Sequence, residues 1–149
     1  SRIVYSFHCY DPIIFTHQTA QWIKGMPKDF HIAYPDTLAN YRRWSAAFSK
    51  EYIGSLLHEG LTDVEASFFE ANLSAAISAA EKYDVPLYCS EYGVIHQADL
   101  ESTLHWYQTI STVFEKHHIG RAAWTYKEMD FGLTDAEAFP VMQKVLPLL

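Results

Sequence analysis

The sequence predicts an α/β fold with a parallel sheet. Three short, mostly apolar runs read as buried strands: Ile3 to Phe7, Val85 to Cys89, and Arg121 to Ala123. Stretches with helical spacing separate them, and the order strand, helix, strand, helix, strand, helix calls for right-handed parallel crossovers. Each run also ends in side chains that carry chemistry: His8-Cys9-Tyr10, Ser90-Glu91-Tyr92-Gly93 and Trp124-Thr125-Tyr126. In parallel α/β proteins the site lies beyond the carboxyl ends of the strands.

The first strand is expected over residues 2–10. Residues 11–37 form a long aromatic-rich loop, punctuated by Pro12, Gly25, Pro27 and Pro35, and loops of this length are usually functional. Residues 38–58 have helical spacing through Leu38, Tyr41, Trp44, Phe48, Tyr52 and Leu56. Thr62-Asp63-Val64-Glu65 has the capping-box pattern and opens a helix running to about Tyr83. That helix shows an apolar stripe of Phe69, Leu73, Ala76, Ile77 and Ala80. The second strand covers 85–90. Asp99 is the expected N-cap of the next helix, with Leu104, Tyr107, Ile110, Val113 and Phe114 apolar and Gly120 as its stop. The third strand covers about 121–126. Thr134-Asp135-Ala136-Glu137 repeats the capping pattern before a short last helix, with Pro140 near its first turn.

The 149 residues suffice for one domain with a real core, and 49% hydrophobic content marks a globular chain. The net charge of -7 argues against nucleic acid or an anionic membrane surface as partner. No apolar run approaches the ~20 residues needed to span a bilayer. Aromatic residues reach 15%, and many sit in polar surroundings where a ring face can stack on a ligand. The chain begins at Ser1 directly before a strand, so it reads as a cut domain. Two cysteines make no disulfide scaffold. Strand alternation puts Cys9 opposite His8 and Tyr10, and Cys89 on the side of Glu91, hence on opposite faces as buried thiols.

A carboxylate at the exit of an apolar strand is costly unless chemistry uses it. Together with an imidazole, phenols and an indole at neighbouring strand ends, Glu91 points to sugar cleavage, with part of the site missing. Three segments go further: Phe7 to Gln18 (FHCYDPIIFTHQ), Pro86 to Gly93 (PLYCSEYG) and Ala122 to Leu133 (AAWTYKEMDFGL). In sequence and order they resemble glycoside hydrolase family 5, the cellulase-like family of retaining β-glycosidases, over nearly the whole chain. The resemblance implies that residues 1–149 are a partial catalytic domain, the C-terminal part (about strands six to eight) of a (β/α)8 TIM barrel.

It also implies roles. Glu91 matches the nucleophile, and His8 and Tyr10 match the His-x-Tyr pair before it, with the Tyr10 hydroxyl placed to orient Glu91. Trp124 matches the indole under the cleaved sugar. Lys127 and Glu128 either bind hydroxyls at the cleft edge or form a solvated loop pair. Trp22 and Trp44 are further subsite residues or core. Thr16 is expected to cap a short helix beginning near His17, and His17 or Gln18 to support the loop. A metal site built from His8, His17, His96 and Glu91 has no supporting His-x-x-x-His or His-Glu-x-x-His spacing, and the family needs no cofactor.

Retaining hydrolysis requires a second carboxyl group. The family's acid/base follows an Asn, and this chain has no Asn-Glu dipeptide. The chain alone is therefore expected to be inactive, with two open sheet edges that meet the N-terminal part of the barrel or a second copy. The implied partner is a β-linked polysaccharide or oligosaccharide, β-1,4-glucan first, then mannan, xylan or β-1,3-glucan. A non-catalytic carbohydrate-binding barrel is the reading from another class. The implied location is secreted or periplasmic.

Overall fold

A computed structural model describes residues 3–48 and 52–149. Arg2, at the start of the first predicted strand, and residues 49–51, inside the predicted 38–58 helix, lie outside the described residues. The elements are β1 (Tyr5–Cys9), α1 (Ile13–Thr16), α2 (Leu38–Phe48), a 3-10 turn (Gly54–Leu57), α3 (Ala66–Tyr83), β2 (Leu87–Tyr92), α4 (Leu100–Lys116), β3 (Gly120–Arg121), α5 (Phe139–Val145) and a final 3-10 turn (Leu146–Leu148). Among the described residues three strands form one sheet, ordered β1-β2-β3, and both pairings are parallel.

One face of the sheet is dry. Cys9, Leu87, Cys89 and Tyr92 are buried in one cluster with Phe68, Phe69, Leu73 and Ile77 of α3 and Trp106, Tyr107, Ile110, Val113 and Phe114 of α4. Tyr92 is the hub. Its ring stacks on Trp106 at 6.2 Å and meets Phe114 edge-on at 5.4 Å. Phe114 in turn meets Phe7 at 6.3 Å. Burying a side chain such as Phe114 contributes roughly 2–3 kcal/mol. The other face is polar near its carboxyl end, where the Ser6 and Ser90 hydroxyls bond each other at 2.9 Å.

Register explains which residues share the dry face. Phe7 pairs with Cys89 and His8 pairs with Glu91, so β2 takes one extra residue, Ser90, at that point. This bulge resets the alternation. Cys89 therefore faces the helices together with Cys9, and the expected placement of the two thiols on opposite faces is wrong. Both are buried and unbridged. Burial pushes Cys9 well above a normal thiol and Cys89 up to about 12, which leaves them unreactive.

Several boundaries differ from the sequence reading. The helical pattern from 38 divides into α2 and the Gly54–Leu57 turn. Trp44 packs on Phe30 and Phe48, with the Arg43 guanidinium over its ring, and so serves the core rather than a subsite. The Thr62–Glu65 capping box does not form. The Asp63 carboxylate instead accepts from the Glu65 N–H and the Ser67 hydroxyl, α3 starts at Ala66, and Glu65 pairs with His105 at 2.9 Å. The second capping pattern is absent too, because Asp135 turns back to accept from the Glu128 N–H at 2.8 Å. The Pro140 expectation holds, within the first turn of α5.

α4 starts where expected: the Asp99 carboxylate accepts from the Ser102 N–H at 2.9 Å. It stops early, since His118, not Gly120, takes the left-handed position at φ 53. At Gly120 the space is tight: a Cβ there would lie 3.0 Å from the Tyr88 ring. β3 is only two residues long, but its ribbon keeps pairing with β2. The Ala122 N–H donates to Cys89 and the Trp124 N–H to Tyr92, at 2.9 and 2.8 Å. Asp99→Ala removes the α4 cap and is expected to cost about 1 kcal/mol of folding stability, read by chemical denaturation.

Candidate active site

The site is built on the bulge. Because β2 slips by one residue, Glu91 stands beside His8 on the open face of the sheet. The Tyr10 hydroxyl donates to Glu91 Oε2 at 3.2 Å, and His8 Nδ1 lies 3.5 Å from the same oxygen. The Glu91 side chain is 30% exposed and His8 55%, so the carboxylate opens to solvent at the mouth of a groove. Burial first, then the Glu91 charge and hydrogen bond, push the Tyr10 phenol well above its usual value. The phenol therefore stays protonated and remains a donor to Glu91.

The groove encloses about 490 Å³ and is lined by Tyr10, His17, Trp22, Glu91, Trp124, Met129, Asp130 and Phe131. Trp124 is carried there by the β3 ribbon. Gly93 makes this approach possible, since a Cβ at that position would lie 2.4 Å from the Trp124 carbonyl oxygen. The rim from Thr125 to Thr134 is a loop closed on itself by Thr125 to Phe131, Leu133 to Thr125 and Thr134 to Tyr126 backbone bonds. His96 ties it down, with its N–H on the Asp130 carbonyl at 2.8 Å and its ring Nε2 3.0 Å from the Gly132 carbonyl. Glu128, Met129 and Asp130 all take left-handed backbone, at φ 66, 60 and 60.

The structure thus lines one groove with Glu91, Tyr10, Trp124 and Trp22, while His8 stands beside Glu91 outside that lining. Lys127 and Glu128 are exposed and do not line the groove. His96 is committed to the rim, so the four groups considered for a metal do not converge. Among the described residues no cluster of three or more His, Cys, Asp or Glu is spaced for a metal ion.

His17, expected as loop support and weighed for a metal set, lines the groove. α1 ends at Thr16 instead of beginning near His17, so Thr16 does not cap it. The Thr16 hydroxyl donates to the Tyr10 carbonyl and touches His17 Nδ1 at 3.0 Å. The His17 ring meets Tyr10 at 5.0 Å and Phe131 at 5.1 Å, and burial pushes it down to about 4. Gln18 does support the loop, bonding the Ile32 N–H at 3.0 Å and the Phe15 carbonyl at 3.0 Å. The signal for His17 was a polar Thr-His-Gln triplet just past a strand end, but sequence spacing could not say which way its ring turns.

A carboxylate steadied by a phenol on the carboxyl edge of a parallel α/β sheet, in a groove lined by two indoles, places the chain in the class of parallel α/β proteins whose sites lie at the strand ends. Residues 1–130 match the family described as Cellulase (glycosyl hydrolase family 5). The chain belongs to that family. It is 33% identical over 148 residues to Endoglucanase C of Acetivibrio thermocellus, a match covering 99% of this chain and 43% of that protein. It is 36% identical over 120 residues to Cellodextrinase A of Ruminococcus flavefaciens, covering 80% of this chain and 28% of that one. Among solved structures, Cel5A of Thermotoga maritima in complex with mannotriose superposes with a TM-score of 0.62 at 20% identity, over 95% of this chain and 39% of the other. That likeness speaks for the fold, and the sheet described above is part of a (β/α)8 barrel. The chain spans less than half the length of the curated relatives it matches.

Gly93→Ala is expected to force the Trp124 ribbon away and cost about 1–3 kcal/mol in a denaturation series. His17 yields a pH signature. Its folded value of about 4 lies below the ordinary imidazole range near 6.5. Its contribution to stability is therefore complete above about pH 6.5 and is lost as the pH falls towards about 4, because the unfolded chain takes up the proton first. Denaturation curves of wild type and His17→Phe should differ in pH slope across that window and run parallel above it.

Proposed function

We propose that this chain supplies the nucleophile half of a retaining endo-β-glycosidase of cellulase type, its strands standing about sixth to eighth in the barrel. The observation that carries the reading is the Tyr10–Glu91 bond: one carboxylate oxygen is held at 3.2 Å by a phenol while the group remains open to the groove. Glu91 would attack the anomeric carbon and form the covalent glycosyl-enzyme, which water then hydrolyses. With Oε2 held by Tyr10 and near His8, Oε1 is the oxygen left for attack. His8 supports the same carboxylate or a sugar hydroxyl. Trp124, 36% exposed, offers its ring to the apolar face of a pyranose, and Trp22, 57% exposed, to the next sugar along.

The acid that protonates the leaving oxygen must stand about 5–5.5 Å from the nucleophile. This chain carries no Asn-Glu pair to supply it, so that group belongs to the remainder of the barrel, which would pair with the edges of β1 and β3. Self-association through the same edges is the competing arrangement. Endoglucanase and cellodextrinase relatives favour β-1,4-glucan as substrate, and the mannotriose complex of a structural neighbour keeps mannan in view. Xylan and β-1,3-glucan remain alternatives within the family, and a secreted or periplasmic location follows from polymeric substrates.

The test is turnover of a soluble β-glucan and of an activated aryl β-glycoside. The purified chain is expected to show none, and an enzyme containing it together with the acid/base half is expected to lose at least about 10³-fold in kcat on Glu91→Gln. Turnover by the chain alone that Glu91→Gln abolishes would overturn the half-site reading. Sugar binding without turnover in the longer protein would favour a carbohydrate-binding barrel.

A further inference from the structure

We infer that Thr16 is a positioning residue for the reaction: its hydroxyl and its carbonyl grip the exits of β1 and β2, and so set the Tyr10 phenol on the Glu91 carboxylate. The inference rests on the glycosidase reading above and adds to it the residue that holds the pair together.

The grip on the first strand begins with a single proton. Tyr10 follows the last residue of β1, so the strand itself does not define its backbone. The Tyr10 carbonyl takes the Thr16 hydroxyl proton. A hydroxyl has one proton to give and a carbonyl can only accept. The 3.0 Å contact between Thr16 Oγ1 and His17 Nδ1 therefore runs the other way, with Nδ1–H donating to the hydroxyl oxygen. The hydroxyl is held from both sides. The next carbonyl, that of Asp11, accepts the Trp106 indole N–H at 3.1 Å. Two adjacent peptide groups past β1 are thus pinned, one by the end of α1 and one by α4.

The same residue reaches the second strand. The Ile95 N–H, a little beyond the end of β2, donates to the Thr16 carbonyl at 3.0 Å. β1 leads to the phenol and β2 carries the carboxylate, and their 3.2 Å bond spans the two strands beyond the bulge. Thr16 bridges the same two exits with one side chain and its own peptide group. It is 0% exposed, so it touches no ligand and acts only through the pair. Without the hydroxyl the Tyr10 carbonyl loses its donor, the peptide is free to turn, and the phenol drifts off Glu91 Oε2. The nucleophile then loses its alignment, while Trp22 and Trp124 still line the groove. The cost falls on the transition state and not on substrate binding.

The decisive comparison is Thr16→Ala with Thr16→Ser, which share the lost methyl group and differ only in the hydroxyl. In this chain the Tyr10 ring lies 5.0 Å from the His17 ring and 5.9 Å from that of Phe131. NMR contacts between these rings should weaken in Thr16→Ala and persist in Thr16→Ser. In the longer enzyme, Thr16→Ala should lower kcat on a soluble β-glucan about tenfold with KM nearly unchanged, and Thr16→Ser should stay within about twofold of wild type. Equal kcat in the two variants, or a loss confined to KM, would overturn the positioning role, because a hydroxyl that serves stability alone leaves kcat of the folded enzyme unmoved. Ring contacts that survive in Thr16→Ala would overturn it as well. If Thr16→Ala does not fold, Thr16→Val keeps the shape and loses the hydroxyl, and wild-type kcat in that variant would be equally fatal. A wild-type enzyme that cleaves no β-linked substrate would overturn the glycosidase reading and the kcat consequence with it, while the ring contacts would still report the clamp on Tyr10.

Discussion

The site depends on a one-residue slip between two parallel strands. If β1 and β2 kept strict register, Ser90 would pair with His8 and Glu91 with Cys9, and the carboxylate would be driven into the helix layer. There it would meet Trp106, Tyr107 and Phe114, at a cost of several kcal/mol. The extra residue at Ser90 turns Glu91 to the open face, next to His8 and under the Tyr10 hydroxyl. The same slip lets Cys89 and Tyr92 both face the core, where Tyr92 packs against α4. Site and core thus share one irregularity, and neither can be altered without the other.

From this slip the rest follows by packing. Tyr92 ties β2 to α4, and α4 begins at the Asp99 cap. The far end of the chain is closed by the Leu148 carbonyl, which accepts from the Ser111 hydroxyl and the Arg121 guanidinium. That contact anchors the β3 ribbon at its start, while Gly93 allows its end to lie against β2. Trp124 arrives at the groove held at both ends of its ribbon. The long loop after β1 is anchored in the same way. Gln18 clamps Ile32, and Tyr34 reaches the Val64 carbonyl at 2.7 Å and the Ser102 hydroxyl at 2.8 Å. His17 and Trp22 therefore stand on a braced segment.

Much of this was legible in the sequence. Three apolar runs ending in chemistry-bearing residues located the strands and the edge that carries those residues, and α3 and α4 were placed to within a few residues by their apolar period, whereas the pattern expected over 38–58 divides. Glu91, Tyr10 and Trp124 line one groove, and His8 stands beside Glu91. The failures have physical causes. Alternation misplaced the cysteines because a bulge leaves no mark in composition. Both capping boxes failed because Asp63 and Asp135 found backbone donors nearer than those of the expected helix starts. Trp106, the largest core side chain, escaped notice because an indole reads equally as platform or filler. Lys127 and Glu128 follow Trp124 in sequence, but both are exposed outside the groove, and the chain rejoins its lining only at Met129.

The rim turn from Glu128 to Asp130 has an evolutionary side. Three successive non-glycine residues in left-handed backbone each carry a penalty of roughly 1–2 kcal/mol relative to the ordinary helical well, least for Asp130. The path survives because His96, Asp135 and Gly132 hold it from behind. The backbone path of the rim is thus held by its neighbours, and the side chains of Met129 and Asp130 face the groove from it. Mutational drift can exchange them on an unchanged backbone, which makes this corner a natural place for related chains to diverge in what the groove accepts.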